Sequence, residues 1–189
     1  MTTFAGRRRW KIFPNGDTIY RKKQDPKNPL GYHLLFAPDV CQGPDGRYYL
    51  YYAFDFLGIM SVAVCDTPAG EYKFLGHIHY ADGTLWGRRR GDQLPFDPGV
   101  LVDDDGRVWL YSGFYNAVPA ILTGGHKLRC DGGTVLELEK DMVTIKTEPR
   151  VIFPKKGPGA FQGHEFFEAS SIRKEGKTYI FVYSSRHNH

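Results

Sequence analysis

Apolar and polar residues alternate along most of the chain in short runs, which is the period-two pattern of β-strands. The clearest runs are rich in aromatic and β-branched residues: YYLYY from residue 48, VWLY from residue 108 and YIFVY from residue 179. Turns that contain glycine separate these runs, and an Asp-Gly pair between two apolar runs is a strong signal for a β-hairpin. The pattern therefore predicts an all-β protein that is built from hairpins.

This hairpin pattern recurs three times. The segments are APDVCQGPDGRYYLYYAFD from Ala37, DPGVLVDDDGRVWLYSGFY from Asp97 and EASSIRKEGKTYIFVYSS from Glu168. The first two align without gaps at an offset of 60 residues, and the third aligns with Glu168 opposite Asp97 if its turn is one residue shorter. More strand-like segments follow the first two hairpins, which gives about four strands per repeat, as in the blades of a β-propeller. The repeat therefore predicts a β-propeller.

The aligned repeats place two carboxylates at the start of successive inner strands. The innermost strand of each blade runs along the propeller axis, so Asp97 and Glu168 are expected to face each other in the central channel. Ala37 takes this position in the first unit, but Asp39 lies two residues further on, and residues two apart share a face of a strand. Glu168 also follows two phenylalanines, and apolar surroundings with a nearby negative charge raise the pKa of a carboxyl group.

A pair of facing carboxyl groups is suited to glycoside hydrolysis, in which one carboxyl protonates the leaving oxygen and the other activates water or attacks the sugar. A structural interpretation stays open, because Asp-Pro often begins a turn and Glu168 could form an ion pair. The candidates for contacts with a sugar are Asp39, His164, Phe36 and Tyr115. An aromatic residue in a strand-rich chain usually belongs to the core, and His164 fits a position on the rim equally well.

Net charge and cysteine content limit the kinds of partner and the cellular compartment that the sequence predicts. The net charge is +4, and the Arg triplets at residues 7–9 and 88–90 are interpreted as solvated loop charges without an aromatic platform beside them, so nucleic acid is not an expected partner. Cys41, Cys65 and Cys130 are widely and irregularly spaced, which indicates neither a disulfide framework nor a zinc site. No apolar run has the length of a membrane span or the form of a signal peptide, so a cytoplasmic protein without a membrane partner is expected.

Three motifs, in order, resemble glycoside hydrolase family 43 across residues 18–186: APDV before GRYYLYY, FDPGVLVDDDGRVWLYSG and FFEASSIRKEGKTYIFVYSS. That family comprises inverting β-xylosidases, α-arabinofuranosidases and related enzymes on a five-bladed propeller. The resemblance implies that Glu168 is the general acid and that Asp97 is the carboxylate that tunes the pKa of the acid and orients it. It also implies an oligosaccharide substrate containing xylose or arabinose, and no required cofactor. A structural cation in the central channel is compatible with the resemblance, but no ligands can be assigned to it.

The resemblance also predicts an incomplete set of blades in a single partial domain, residues 1–189. The ranges are about 10–25 for the end of the first blade, 33–90 for the second, 93–155 for the third and 164–189 for the start of the fourth. The strand that bears the family's general base, an Asp on the first blade, has no counterpart. The expected function is thus inverting glycoside hydrolysis, with an inactive fragment or a sugar-binding pseudoenzyme as the alternative.

Two further expectations follow. Open blade faces expose apolar surface and strand edges, which predicts a homo-oligomer that covers them. A sialidase-type propeller is a third interpretation, because Asp104, Gly106 and Trp109 imitate one copy of an Asp-box turn.

Overall fold

The structure of the protein is a computed structural model that describes residues 35–54 and 58–185. This part of the chain forms twelve β-strands and no helix, which confirms the all-β prediction. It accordingly holds no helix that could span a membrane. The segment 10–25, predicted to end the first blade, and the last four residues of the predicted fourth blade lie outside the described residues.

The first sheet is an antiparallel meander of four strands. Its strands, in their order across the sheet, are β1 (Leu35–Gln42), β2 (Tyr48–Phe54), β3 (Met60–Cys65) and β4 (Lys73–His77). Residues 43–47, with the predicted Asp-Gly pair, connect β1 to β2. Gly46 has a φ of 82°, a conformation that glycine adopts without a steric penalty.

The second sheet has six strands. They are β5 (His79–Tyr80), β6 (Gly99–Val102), β7 (Val108–Ser112), β8 (Gly132–Leu138), β9 (Thr144–Ile145) and β10 (Arg150–Pro154). The order is β5-β9-β8-β7-β6, and β10 pairs with the beginning of β8. β5 belongs by sequence to the range predicted for the second blade, yet it pairs in parallel with β9. Tyr80 is buried at this position, and its hydroxyl donates to the Asp92 carboxylate at 2.6 Å.

A hairpin follows, made of β11 (Phe166–Glu175) and β12 (Thr178–Ser185). β11 lies close to β6: a Cβ on Gly99 would come within 2.8 Å of the carbonyl oxygen of Ser170. Two ion pairs also tie β11 to the first two sheets, from Arg173 to Asp39 and from Lys174 to Asp103.

The main core lies between the first and second sheets. Tyr51, Val62, Leu110 and Met142 are fully buried there, and the Tyr51 hydroxyl donates to the Met142 carbonyl oxygen at 2.8 Å. Burial of each such side chain contributes about 1.5–3 kcal/mol to folding. This core fixes the relative position of the two sheets, and so of their inner strands β1 and β6.

The prediction for the second Arg triplet is partly wrong. The Arg89 guanidinium lies 3.4 Å from the centre of the Tyr80 ring and pairs with Asp82 at 2.8 Å, so an aromatic partner is present. Arg88 donates to the carbonyl oxygens of Gly58 and Gly87, and only Arg90 is an exposed loop charge. The first triplet, residues 7–9, lies outside the described residues.

Candidate active site at the inner strands

The inner strands begin with a shared backbone irregularity. In β1 the pairing jumps from Phe36 to Asp39, and in β11 it jumps from Glu168 to Ser171, which marks a β-bulge in each strand. The corresponding residues with positive φ are Ala37 at 46°, Asp97 at 53° and Ala169 at 62°. Bulges of this kind redirect side chains and are frequent beside active sites.

This geometry corrects the sequence alignment by one residue. In the structure Ala169, not Glu168, is the equivalent of Ala37 and Asp97, and Glu168 is the equivalent of Phe36 and Phe96. The alignment matched the turn glycines Gly106 and Gly176, whereas the strand pairing sets the true register. A shift of one residue transfers a side chain to the other face of a strand, so the two carboxylates are neighbours without being equivalents.

Asp97 and Glu168 nevertheless meet. The Asp97 side chain is buried, and its Oδ2 accepts the backbone N–H of Ala169 at 2.8 Å. That N–H belongs to the peptide group that directly follows Glu168, whose own side chain is half-buried. Burial raises the pKa of Asp97 to about 6, the hydrogen bond from Ala169 opposes this rise, and the negative charge of Glu168 adds to it. The arrangement is an anchored carboxyl group with a raised pKa beside a more accessible carboxyl group.

Asp39 has protein partners on both carboxylate oxygens. Its Oδ2 accepts the backbone N–H of Val100 at 2.8 Å, and Arg173 donates to Oδ1 at 2.9 Å and to Oδ2 at 3.4 Å. The side chain is 12% exposed. A contact between Asp39 and a sugar stays a prediction, and the structure shows these oxygens in use within the fold.

A chain of aromatic contacts runs past the two carboxylates. The ring centres of successive partners lie 5.0–6.2 Å apart, in the order Phe36, Phe96, Phe114, Phe167 and Tyr115. Phe96 directly precedes Asp97, and Phe167 directly precedes Glu168. Of the two phenylalanines before Glu168, Phe166 is buried against Gly113 and Gly133, so Phe167 alone belongs to this chain.

Sequence reasoning proposed Phe36 and Tyr115 but missed Phe96, Phe114 and Phe167 as a connected group. The signal for Phe96 and Phe167 was their position immediately before the two carboxylates. Phe114 lies beyond the end of β7 and shows no comparable local signal. The Lys155 ammonium group lies 5.0 Å from the centre of the Tyr115 ring and donates to the Tyr115 carbonyl oxygen at 3.0 Å.

His164 lies in the exposed loop before β11. Its carbonyl oxygen accepts the Tyr183 hydroxyl at 2.7 Å, and its N–H donates to the Phe161 carbonyl oxygen at 2.8 Å. These bonds fix the backbone of the loop at His164, and a contact between its side chain and a sugar stays a prediction. Over the described ranges, no group of three or more His, Cys, Asp and Glu side chains has an arrangement that could hold a metal ion.

Comparisons with known proteins identify the family of the chain. The sequence profile described as "Glycosyl hydrolases family 43" matches residues 9–188. A "Xylosidase/arabinosidase" of Thermoclostridium stercorarium is 53% identical over 171 residues, which cover 88% of this chain and 34% of that protein. "Xylosidase/arabinosidase 43A" of Humicola insolens is 32% identical over 181 residues, which cover 82% of this chain and 52% of that protein. The chain thus spans about a third to a half of these relatives.

Solved structures of other proteins share the fold of this chain. An α-L-arabinofuranosidase from Clostridium thermocellum superposes with a TM-score of 0.56 at 27% identity, over 82% of this chain and 44% of that one. An α-L-arabinanase of Cellvibrio cellulosa has a TM-score of 0.57 at 21% identity, over 85% of this chain and 50% of that one, and shows the fold alone. The propeller prediction and the family resemblance are confirmed, with the chain covering part of a propeller. The chain belongs to family 43 of the glycosyl hydrolases.

Proposed function

We propose that the chain carries the acid half of an inverting glycosidase site for oligosaccharides that contain xylose or arabinose. Glu168 protonates the leaving glycosidic oxygen, and Asp97 holds the peptide group next to Glu168. The observation that carries this proposal is the 2.8 Å bond from the Ala169 N–H to the buried Asp97 carboxylate. The names of the two relatives above support the sugar class.

The roles of the two carboxyl groups follow from their surroundings. Glu168 is the more accessible and projects from the bulge that Ala169 forms, whereas Asp97 is buried and its Oδ2 is occupied by the Ala169 N–H. A general acid must reach the substrate oxygen within hydrogen-bond distance, which suits Glu168. A group that orients the acid must itself be fixed, which suits Asp97. Within the aromatic chain, Phe167 and Tyr115 are half-buried and lie outside the core around Phe96, so their rings are the candidates on which a sugar can stack.

The general base is a separate group. In an inverting enzyme the acid and the base lie about 6.5–9.5 Å apart, so that a water molecule fits between the base and the sugar. Asp97 is bonded to the backbone beside Glu168 and is therefore not the proposed base. The first test is whether the chain hydrolyses xylobiose and 4-nitrophenyl β-xyloside, with and without azide. Azide is a nucleophile that needs no activation by a base.

Glu168→Gln is the decisive variant. Xylobiose has a poor leaving group and nitrophenol a good one, so the loss should be about 10²–10⁴-fold on xylobiose and much smaller on the aryl xyloside. Glu165→Gln, three residues away, is the matched control and should retain activity. Turnover that needs azide and is lower in Glu168→Gln would support a site that has the general acid but lacks the general base. Equal losses on both substrates would contradict the role of acid.

A sugar-binding pseudoenzyme is the second candidate. It is favoured by the contacting rings of Phe167 and Tyr115, whose side chains are half-buried. Calorimetric binding of xylobiose without turnover under any condition, weakened in Tyr115→Ala, would select this alternative.

Self-association is part of the proposal. Strand β12 exposes Ile180 and Val182, which are two residues apart and share a face of the strand, with exposed fractions of 44% and 59%. A second copy that covers this face would explain why large apolar groups lie on it. Light scattering across a concentration series tests this, and a monomer at every concentration would exclude it. A cytoplasmic location stays a prediction from the sequence.

A further inference from the structure

Asp39 contacts β11, which carries Glu168, and β6, which begins two residues after Asp97. It lies on β1, and its Oδ2 accepts the N–H of Val100, which is three residues after Asp97 on β6. Both terminal nitrogens of Arg173 donate to its carboxylate, and Arg173 is five residues after Glu168 on β11. One carboxylate on the first sheet thus contacts the inner strand of the second sheet and the inner strand of the hairpin.

The two strands are also in direct contact. Gly99, between Asp97 and Val100, approaches the backbone of Ser170 so closely that a Cβ would lie 2.8 Å from its carbonyl oxygen. The Asp97–Ala169 bond lies at the start of these strands, and the contacts of Asp39 lie further along them. Together with the Lys174–Asp103 ion pair at the far end of β6, these contacts define how β11 sits against β6.

The chemistry of the Asp39 contact suits a structural tie. A planar guanidinium with two donors on one carboxylate fixes orientation as well as distance. The Asp39 side chain is 12% exposed, whereas that of Arg173 is 60% exposed, so the carboxylate is the fixed partner and the guanidinium reaches to it from the hairpin. With both oxygens engaged, Asp39 acts on the site through β6 and β11.

We infer that Asp39 is a positioning residue that sets the placement of Glu168 relative to Asp97 by tying β6 and β11 together. The use of this placement in glycoside hydrolysis rests on the function proposed above. The tie itself does not, so it can be tested in the absence of turnover.

The test uses the whole chain and three variants. Asp39→Asn removes the charge that binds Arg173, and Arg173→Gln leaves the Asp39–Val100 bond in place and covers the case in which Asp39→Asn does not fold. Asp45→Asn is the matched control, because Asp45 also pairs with an Arg in the same sheet, at 2.7 Å, and its partners Arg47 and Tyr49 both lie on its own hairpin. The quantity measured, by NMR, is the exchange rate of the Ala169 amide.

If Asp39 positions the strands, Arg173→Gln speeds exchange of the Ala169 amide on the order of tenfold or more, because the bond to Asp97 opens more often. The Ala169 amide lies on β11 and its acceptor lies just before β6, so faster exchange reports a change in how the two strands sit together.

Two outcomes would overturn the inference: unchanged amide exchange in Arg173→Gln, or an equal change in Asp45→Asn. Arg173→Lys supplies a further check, since one ammonium group restores the charge but not the paired geometry and should recover only part of the protection. If the enzyme turns over xylobiose, Asp39→Asn should lower kcat more than it changes KM. Absence of turnover would bear on the proposed function alone.

Discussion

Asp97 accepts the backbone N–H of Ala169 at 2.8 Å, and this bond joins the second sheet to the hairpin next to Glu168. The acceptor is buried and the donor belongs to a residue with a positive φ, so both ends of the bond are under constraint. The bond explains how two carboxylates that are 71 positions apart in the chain form one site. Because the folded and unfolded pKa values of Asp97 differ, its ionisation can be measured through the pH dependence of the free energy of unfolding.

Replacement of Asp97 by Asn should make the protein more stable at neutral pH. The folded pKa of Asp97 is about 6 and its ordinary value is 3.8, so folding favours the protonated form. Stability from this group is present below pH 4 and is lost as the pH rises towards 6. Asn cannot ionise, tolerates positive φ and keeps an acceptor for Ala169.

The expected gain of Asp97→Asn over the wild type at pH 7 is about 1–3 kcal/mol, since one pKa unit corresponds to about 1.4 kcal/mol. Urea unfolding of both proteins from pH 4 to pH 7 measures it. Parallel stability curves across this range would show that Asp97 is not shielded from water.

Glu137→Gln should give a pH dependence of the opposite sign. Glu137 is buried on β8, and Arg107 at 2.9 Å and Lys146 at 2.8 Å lower its pKa to about 2. Its contribution to stability is present above its ordinary pKa of 4.5 and is lost as the pH falls towards 2. Gln keeps the shape but loses the charge, which should cost about 1–3 kcal/mol at pH 7.

The measurement is thermal or urea unfolding from pH 2.5 to pH 7. The exposed neighbour Glu139→Gln is the control and should change stability little. The interpretation fails if both variants lose the same stability, or if the loss in Glu137→Gln is as large at pH 2.5 as at pH 7.

Gly99→Ala should disturb the joint between the second sheet and the hairpin. The added methyl would meet the Ser170 carbonyl oxygen at 2.8 Å and the Ser171 Cα at 3.3 Å, and backbone atoms cannot move aside as a side chain can. Overpacking of this kind costs about 1–3 kcal/mol. Gly76→Ala is the matched control, because its methyl meets only Val143, at 3.7 Å. Chemical unfolding compares the two, and equal stabilities would contradict the close approach of β6 and β11.

Ala169→Gly should stabilise the fold. Ala169 has a φ of 62°, a conformation that costs an L-residue about 1–2 kcal/mol and that glycine adopts freely. The greater flexibility of glycine in the unfolded chain offsets about 0.5–1 kcal/mol of this gain. Ala117→Gly, at an exposed alanine without a positive φ, should be neutral or destabilising. A loss of equal size in both variants would show that the bulge at Ala169 is unstrained.

The sequence was informative where the signals are local. Strand alternation and Asp-Gly turns predicted the hairpins, and the repeat predicted that Asp97 and Glu168 meet. The one-residue error at Glu168 arose because a bulge at Ala169 has no signature, since alanine has no preference for positive φ. β5 has only two residues, too few for a periodic pattern.

Contacts between residues far apart in the chain could not be predicted from the sequence, for a different reason. Arg173 is 134 positions from Asp39, and nothing in either local segment indicates the pair. Tyr80 similarly lies nine positions before Arg89 and outside any motif, so its stacking with that guanidinium was not foreseen. Contacts of this kind depend on how sheets stack, which the pattern of single strands does not determine.

The equivalence of Phe36, Phe96 and Glu168 has an evolutionary consequence. Three copies of one backbone bend present a side chain at the same place, and two of them present an inert ring while the third presents an acid. A duplicated architecture can therefore acquire reactivity through exchange of a single residue in one copy, while the other copies keep an aromatic residue that packs in the core. The repeated backbone bend thus fixes where the side chain lies, and the residue type in each copy determines what that side chain can do.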